Sequence, residues 1–159
     1  MASLDYAIGR PLIQQLSSRA ASGERLRTNH NFHTPHAEEA NRLLNAVEPG
    51  SYIQPHRHNH PSKDESIVVV SGQFGFVFFD KTGAVTEAIA ASPEGDAIGV
   101  NIPHGTFHSV IALQPGSVFF EAKAGPYEPL TDDERASWAP SEGDPKAEIY
   151  RKSLEALFE

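Results

Sequence analysis

The chain contains no cysteine. That excludes a disulfide framework, thiolate metal ligands and a cysteine nucleophile. Any bound metal must draw its ligands from His, Asp, Glu or the main chain. Such a donor set suits Fe, Mn, Ni, Co, Cu or Zn without choosing sharply among them. Basic residues are also scarce: 13 Lys and Arg stand against 21 Asp and Glu, a formal net charge of −8. Binding to a phosphate backbone needs a basic face, so nucleic acid is not the expected partner. No run approaches the roughly 18–20 apolar residues of a membrane-spanning helix. The opening residues MASLDYAIGRPL lack the basic-then-apolar order of a secretory signal. The expected location is the cytoplasm and the expected partner a small molecule.

What is present points to one domain over residues 1–159. A domain of that size buries roughly 68–70% of its unfolded surface, enough for a core. Three parts are expected: a helix and polar extended arm at 1–44, a barrel core at 45–124, and a wrapping tail with a terminal helix at 125–159. In the first part, GRPLIQQLSSRAASG places Pro11 at the start of a helix and Gly23 just past its end. Leu12, Ile13, Leu16 and Ala20 form its apolar stripe. If the next residues are extended, Arg27, Asn29, Asn31 and His33 share one side. A short helical turn is predicted around Ala37 to Leu44.

From Asn45 onward, short apolar runs alternate with turn signals. The runs are SYI, SIVVVS, FGFVFFD, AVTEAIAA, AIGVNI, FHSVIAL and SVFFEAK; the breaks include EPG, DKTG, SPEG, PHG and QPG. This is the texture of an all-β antiparallel sandwich or barrel. Phe74, Phe76, Phe78 and Phe79 are expected in its core. Trp138 and Tyr127 are expected to anchor the tail. The terminal helix should start at Asp144 and Pro145 and bury Ile149, Ser153, Leu154 and Leu157.

Chemistry concentrates in GSYIQPHRHNHPSKDESIVVVSG, residues 50–72. On a strand, His56 and His58 would point the same way, about 6–7 Å apart, with Arg57 turned away. Glu65 heads an alternating row with Ile67 and Val69, and a carboxylate on such a row needs a cation or metal. A hairpin closing at NHPSKD would set it opposite the histidine pair. Downstream, IPHGTFHSV places His108 at the head of a row with Val110 and Ala112. Three His and one Glu can surround an ion and leave positions open to water, O₂ or a substrate oxygen. His60 reads as a solvated loop residue. His30, His33 and His36 are spaced by three, which fits neither strand nor helix well, and read as solvated loop histidines.

The Gly50, His56, His58, Glu65, Gly72 spacing resembles the first cupin motif, and Pro103, Gly105, His108 the second. The gap from His58 to Glu65 is longer than usual, and Ala112 stands where Asn is common. The cupin resemblance implies a small antiparallel barrel of jelly-roll type, with short terminal helices here, and one divalent metal (Fe, Zn, Ni or Mn) held by His56, His58, Glu65 and His108. The blocks RLLNAVEPGSYIQPHRH, PSKDESIVVVSGQFGFVFFD, IPHGTFHSVIALQPGSVFFEAKAGPYEP and WAP resemble WbuC-type cupin metalloproteins, associated with bacterial surface-polysaccharide (O-antigen) gene clusters. That resemblance stops short of a reaction but tilts the substrate towards a sugar or sugar nucleotide; the metal site itself allows oxygenase chemistry or isomerase, epimerase or lyase chemistry on a carbonyl substrate, and a homodimer is expected by analogy with the superfamily. A non-catalytic metabolite-binding module is the other class. Arg27, Asn29, Asn31 and His33, with Lys63, are the candidates for substrate contact. His33 is also the candidate general base.

Overall fold

A computed structural model describes residues 6–34 and 38–159. His36 therefore lies outside the described residues, as does Ala37. Helix α1 spans Arg10–Ser22, with Pro11 in its first turn and Gly23 closing it. Eight strands follow: β1 Arg27–Asn31, β2 Ala40–Val47, β3 Glu65–Ser71, β4 Phe74–Phe79, β5 Val85–Ala91, β6 Gly99–Ile102, β7 Phe107–Ala112 and β8 Ser117–Ala124. Helix α2, Ala147–Glu155, runs into a final 3₁₀ turn, Ala156–Phe158. The strands form two antiparallel sheets, ordered β1-β2-β8-β3-β6 and β5-β4-β7. The all-β antiparallel barrel with short helical ends is the observed architecture.

The two sheets enclose a core of Val47, Ile67, Val69, Phe74, Phe76, Val110 and Phe119 with smaller neighbours. Strand β3 shows why the sequence folds this way. Ile67 and Val69 point inward, while Val68 and Val70 are 44% and 40% exposed, the alternation of a strand covered on one face. Strand β7 is buried at every position because both its faces are covered. Val110 and Ala112 face the barrel core. Phe107 and Ile111 face outward, onto Ala136, Trp138 and Leu154 of the tail. Gly75 belongs to that outer layer: a Cβ there would run into the Phe158 ring. On the other sheet, α1 lays Leu16 and Ala20 over Leu44, Ala46 and Val118.

Five expectations are corrected. Residues 40–44 form strand rather than a helical turn, because β2 pairs with β1 on one side and β8 on the other. Sheet pairing there overrides a local apolar pattern that reads equally as helix. The sheet consequently reaches back to Arg27, so the polar arm is part of the barrel instead of a preface to it. Residues 51–53 are irregular coil. Helix α2 buries Ala147 and Leu154, with Tyr150 and Phe158 beside them, whereas Ile149 is 74% exposed. Trp138 does anchor the tail, against Phe79 and Phe107. Tyr127 does not, being exposed. Of the four phenylalanines, Phe74, Phe76 and Phe79 are buried and Phe78 packs beside them.

Candidate metal centre

His56 and His58 do not lie on a strand paired with Glu65, and NHPSKD closes no hairpin. Glu65 opens β3, between β6 and β8. The histidine segment joins the opposite sheet. His56 N–H donates to His108 O at 3.0 Å and His108 N–H to His56 O at 2.9 Å. The tail backs the segment from the other side: Arg57 N–H donates to Glu134 O and Ala136 N–H to Pro55 O, both at 2.9 Å. Pro55 has no N–H, so regular pairing cannot extend upstream. The four candidate ligands therefore meet across the barrel interior, three histidines from one wall and the glutamate from the other. Arg57 turns away as expected, over the Phe107 ring at 4.5 Å. Gly105 takes φ +76 in the turn before β7, and its N–H donates to His58 O at 2.7 Å. That conformation suits glycine and ties the two halves of the site together.

The ligand nitrogens of His56, His58 and His108 all lie within 4.8 Å of one another. Glu65 Oε2 is 3.0 Å from His108 Nε2, and Glu65 Oε1 is 3.2 Å from His58 Nε2. Two rings are oriented from behind: His56 Nδ1–H donates to Gln54 O at 3.0 Å and His108 Nδ1–H to Thr106 O at 2.9 Å. With Nδ1 so engaged, Nε2 is the nitrogen each neutral ring offers to a metal. Burial first, and then His108, push His56 down to about 3, so it is neutral at pH 7. Burial alone would raise the Glu65 carboxyl. The His108 and His58 rings and the Lys123 ammonium outweigh it and hold Glu65 far below the usual carboxylate range.

These residues fit a metal. Glu65 Oε2 is buried and faces His108 Nε2 at 3.0 Å, a contact that either a proton on the ring or a bound metal ion closes. Neighbouring ligand atoms about 2.1 Å from a common ion, at right angles, stand about 3 Å apart. The donor set of three imidazoles and one carboxylate is that of a transition-metal site.

Lys123 and Glu121, from β8, complete the cluster, and the sequence reading missed both. Lys123 Nζ donates to Glu65 Oε1 at 2.8 Å, and stands 3.2 Å from Glu121 Oε1 and 3.3 Å from His58 Nε2. Asn45 Nδ2 donates to Glu121 Oε2 at 3.0 Å. Burial would lower the Lys123 ammonium, but Glu121 and Glu65 hold it above its ordinary value.

Two cavities meet at the cluster. One, of about 240 Å³, is lined by Ile53, Val110 and Phe119 together with Arg27 and Asn29. The other, of about 250 Å³, is lined by Asn41, His58, Lys63, Lys123 and Tyr127. Of the candidate substrate contacts, Arg27 and Asn29 line the first cavity and Lys63 the second. Arg27 is held by Ser51 Oγ and Tyr52 O at 3.2 Å each and by Glu142 at 2.8 Å. Arg25, bonded to the same carboxylate, helps bring Glu142 down to about 2. Asn31 lies outside both cavities and accepts from Asn29 Nδ2. His33 is buried away from the centre, its Nδ1 accepting from Arg42 N–H at 2.9 Å; it is not a solvated loop histidine. His30 is half-buried, edge-on to Phe32. His60 is exposed and bonds Ser62.

Among solved structures, the chain is similar to KdgF from a Halomonas species, with 24% identity and a TM-score of 0.50 over 67% of this chain and 85% of that one. It is also similar to a cupin superfamily protein from Desulfitobacterium hafniense, with 13% identity and a TM-score of 0.51 over 69% and 86%. No curated protein matches it in sequence. No helix among the described residues is long and apolar enough to cross a membrane. The fold is that of the cupins, and by the profile matching residues 8–91, just over half its length, the chain belongs to the family described as a domain of unknown function, DUF6016.

Proposed function

We propose that the chain is a metal-dependent cupin enzyme whose ion is held by His56, His58, Glu65 and His108. The observation that carries this is the convergence of three imidazoles, their ligand nitrogens within 4.8 Å of one another, on the buried Glu65 carboxylate, whose Oε2 stands 3.0 Å from His108 Nε2. Bound there, a divalent transition metal supplies Lewis-acid polarisation of a substrate oxygen or a centre for oxygen chemistry. The chain's own residues do the rest. Gln54 O and Thr106 O keep two imidazoles in the ligating tautomer. The apolar wall of Ile53, Val110 and Phe119 excludes water from one side of the cluster, and Arg27 and Asn29 orient a small polar or anionic substrate in the same cavity. The resemblance to WbuC-type cupins favours a sugar-like or carbonyl metabolite in surface-polysaccharide biosynthesis.

A second reading is a non-catalytic metabolite-binding module. It is favoured by Lys123, whose ammonium already contacts Glu65 Oε1 and His58 Nε2. Elemental analysis of tag-free protein beside Glu65→Gln separates the two. Near-stoichiometric metal in the parent and its loss in the variant support the enzyme reading. No metal in either, even after reconstitution, sinks it in favour of the module.

A further inference from the structure

Lys123 is a cationic side chain that touches the ligand group and that metal coordination leaves unused. We propose that its ammonium is an internal cation that assembles the ligand residues in the metal-free chain and competes with the metal for them. This rests on the metal-centre reading above. Nζ reaches two of the four ligand groups at once, Glu65 Oε1 at 2.8 Å and His58 Nε2 at 3.3 Å. Once His58 Nε2 binds an ion, it has no lone pair left for the ammonium, and two cations so close repel strongly in a water-poor interior. Metal entry therefore requires Nζ to leave His58.

The structure holds a place for it to go. Glu121 Oε1 is already 3.2 Å from Nζ, and Asn45 braces the far oxygen of that carboxylate. Lys123 can slide toward Glu121 while keeping Glu65 Oε1. Two results follow. The ligand groups stay in place without metal, because the two buried carboxylates are neutralised in part by the ammonium instead of repelling each other. The affinity is also set below what three imidazoles and a carboxylate alone would give, so the ion exchanges with solution. Lys123 is thus a positioning residue that tunes metal retention.

The test is the dissociation constant for Zn²⁺ and Co²⁺, measured by competition with a chromophoric chelator, for the full chain and its Lys123→Met and Lys123→Arg variants. Thermal unfolding in chelator is followed alongside. Lys123→Met is expected to bind at least about tenfold tighter and to melt lower than the parent without metal. Saturating Zn²⁺ should restore its melting temperature. Lys123→Arg, which keeps the charge, should stay within about threefold of the parent. If Lys123→Met does not fold without metal, Lys123→Gln carries the same expectation with a hydrogen bond to Glu65 retained. Parent binding with equal or weaker affinity in the uncharged variants overturns the proposal alone. Absence of binding in every chain overturns it together with the metal-centre reading.

Discussion

Glu65 and Lys123 face each other as register partners across β3 and β8, and their side chains meet at 2.8 Å. One backbone pairing thus builds the sheet and places a cation on the buried glutamate. The centre is an extension of strand register, and its properties can be tested as such.

His56→Ala and His108→Ala should each lose metal while keeping the parent's β-sheet circular dichroism. Removing one of four ligands is expected to weaken binding by at least about a hundredfold, by comparison with the 10–100-fold losses from mutating a ligand's supporting partner. Thr106 contributes its main-chain carbonyl, so its side chain can be changed with little effect. Full metal occupancy in both alanine variants would remove the histidines from the ligand set.

The metal-free chain should lose stability steadily as pH falls from about 6.5 toward 3. His56 titrates near its ordinary value when unfolded but is pushed to about 3 when folded. Between these values the unfolded chain binds the extra proton, so stability rises with pH by up to about 1.4 kcal/mol per unit. Glu65, also held low, adds to the loss below its unfolded value of about 4.3. Thermal melts in chelator at pH 4 to 7 should show this slope, and His56→Gln should flatten it above pH 5. A melting temperature independent of pH over this range would contradict the burial argument.

The buried face of α2 is open to a paired comparison. Leu154 is 4% exposed and Ile149 74%. Leu154→Ala should destabilise by about 2–4 kcal/mol, and Ile149→Ala by less than about 0.5 kcal/mol. Equal effects in urea unfolding would mean that the helix docks by another face.

Gly75→Ala places a methyl where the Phe158 ring lies. Overpacking of this kind is expected to destabilise by about 1–3 kcal/mol. Trimming Phe158 to Ala in the same chain should recover part of the loss, and a non-additive double-mutant cycle would show it.

The parts legible in the sequence are those written in local periodicity. The Glu65, Ile67, Val69 alternation located an inward row correctly, and the turn around Gly105 located His108 at the head of another. Both motifs come together in space. What escaped was set by partners far along the chain. Leu43 and Leu44 read as a helical turn until β8 pairs with them. Lys123 reads as the polar end of a strand, and only the β3–β8 register turns it onto Glu65. His33 reads as loop until the Arg42 main chain buries it. Ile149 and Leu154 are equally apolar in sequence, and only the position of β4 and β7 decides which is covered.

The bonds from residues 134–136 to the histidine segment also carry a consequence for biosynthesis. The backbone around His56 acquires its second flank only from residues 134–136, which are synthesised after every candidate ligand residue. A nascent chain ending before Glu134 would hold every ligand residue and still lack the strap that clamps two of them. The geometry of the candidate site thus depends on residues far beyond its own motifs.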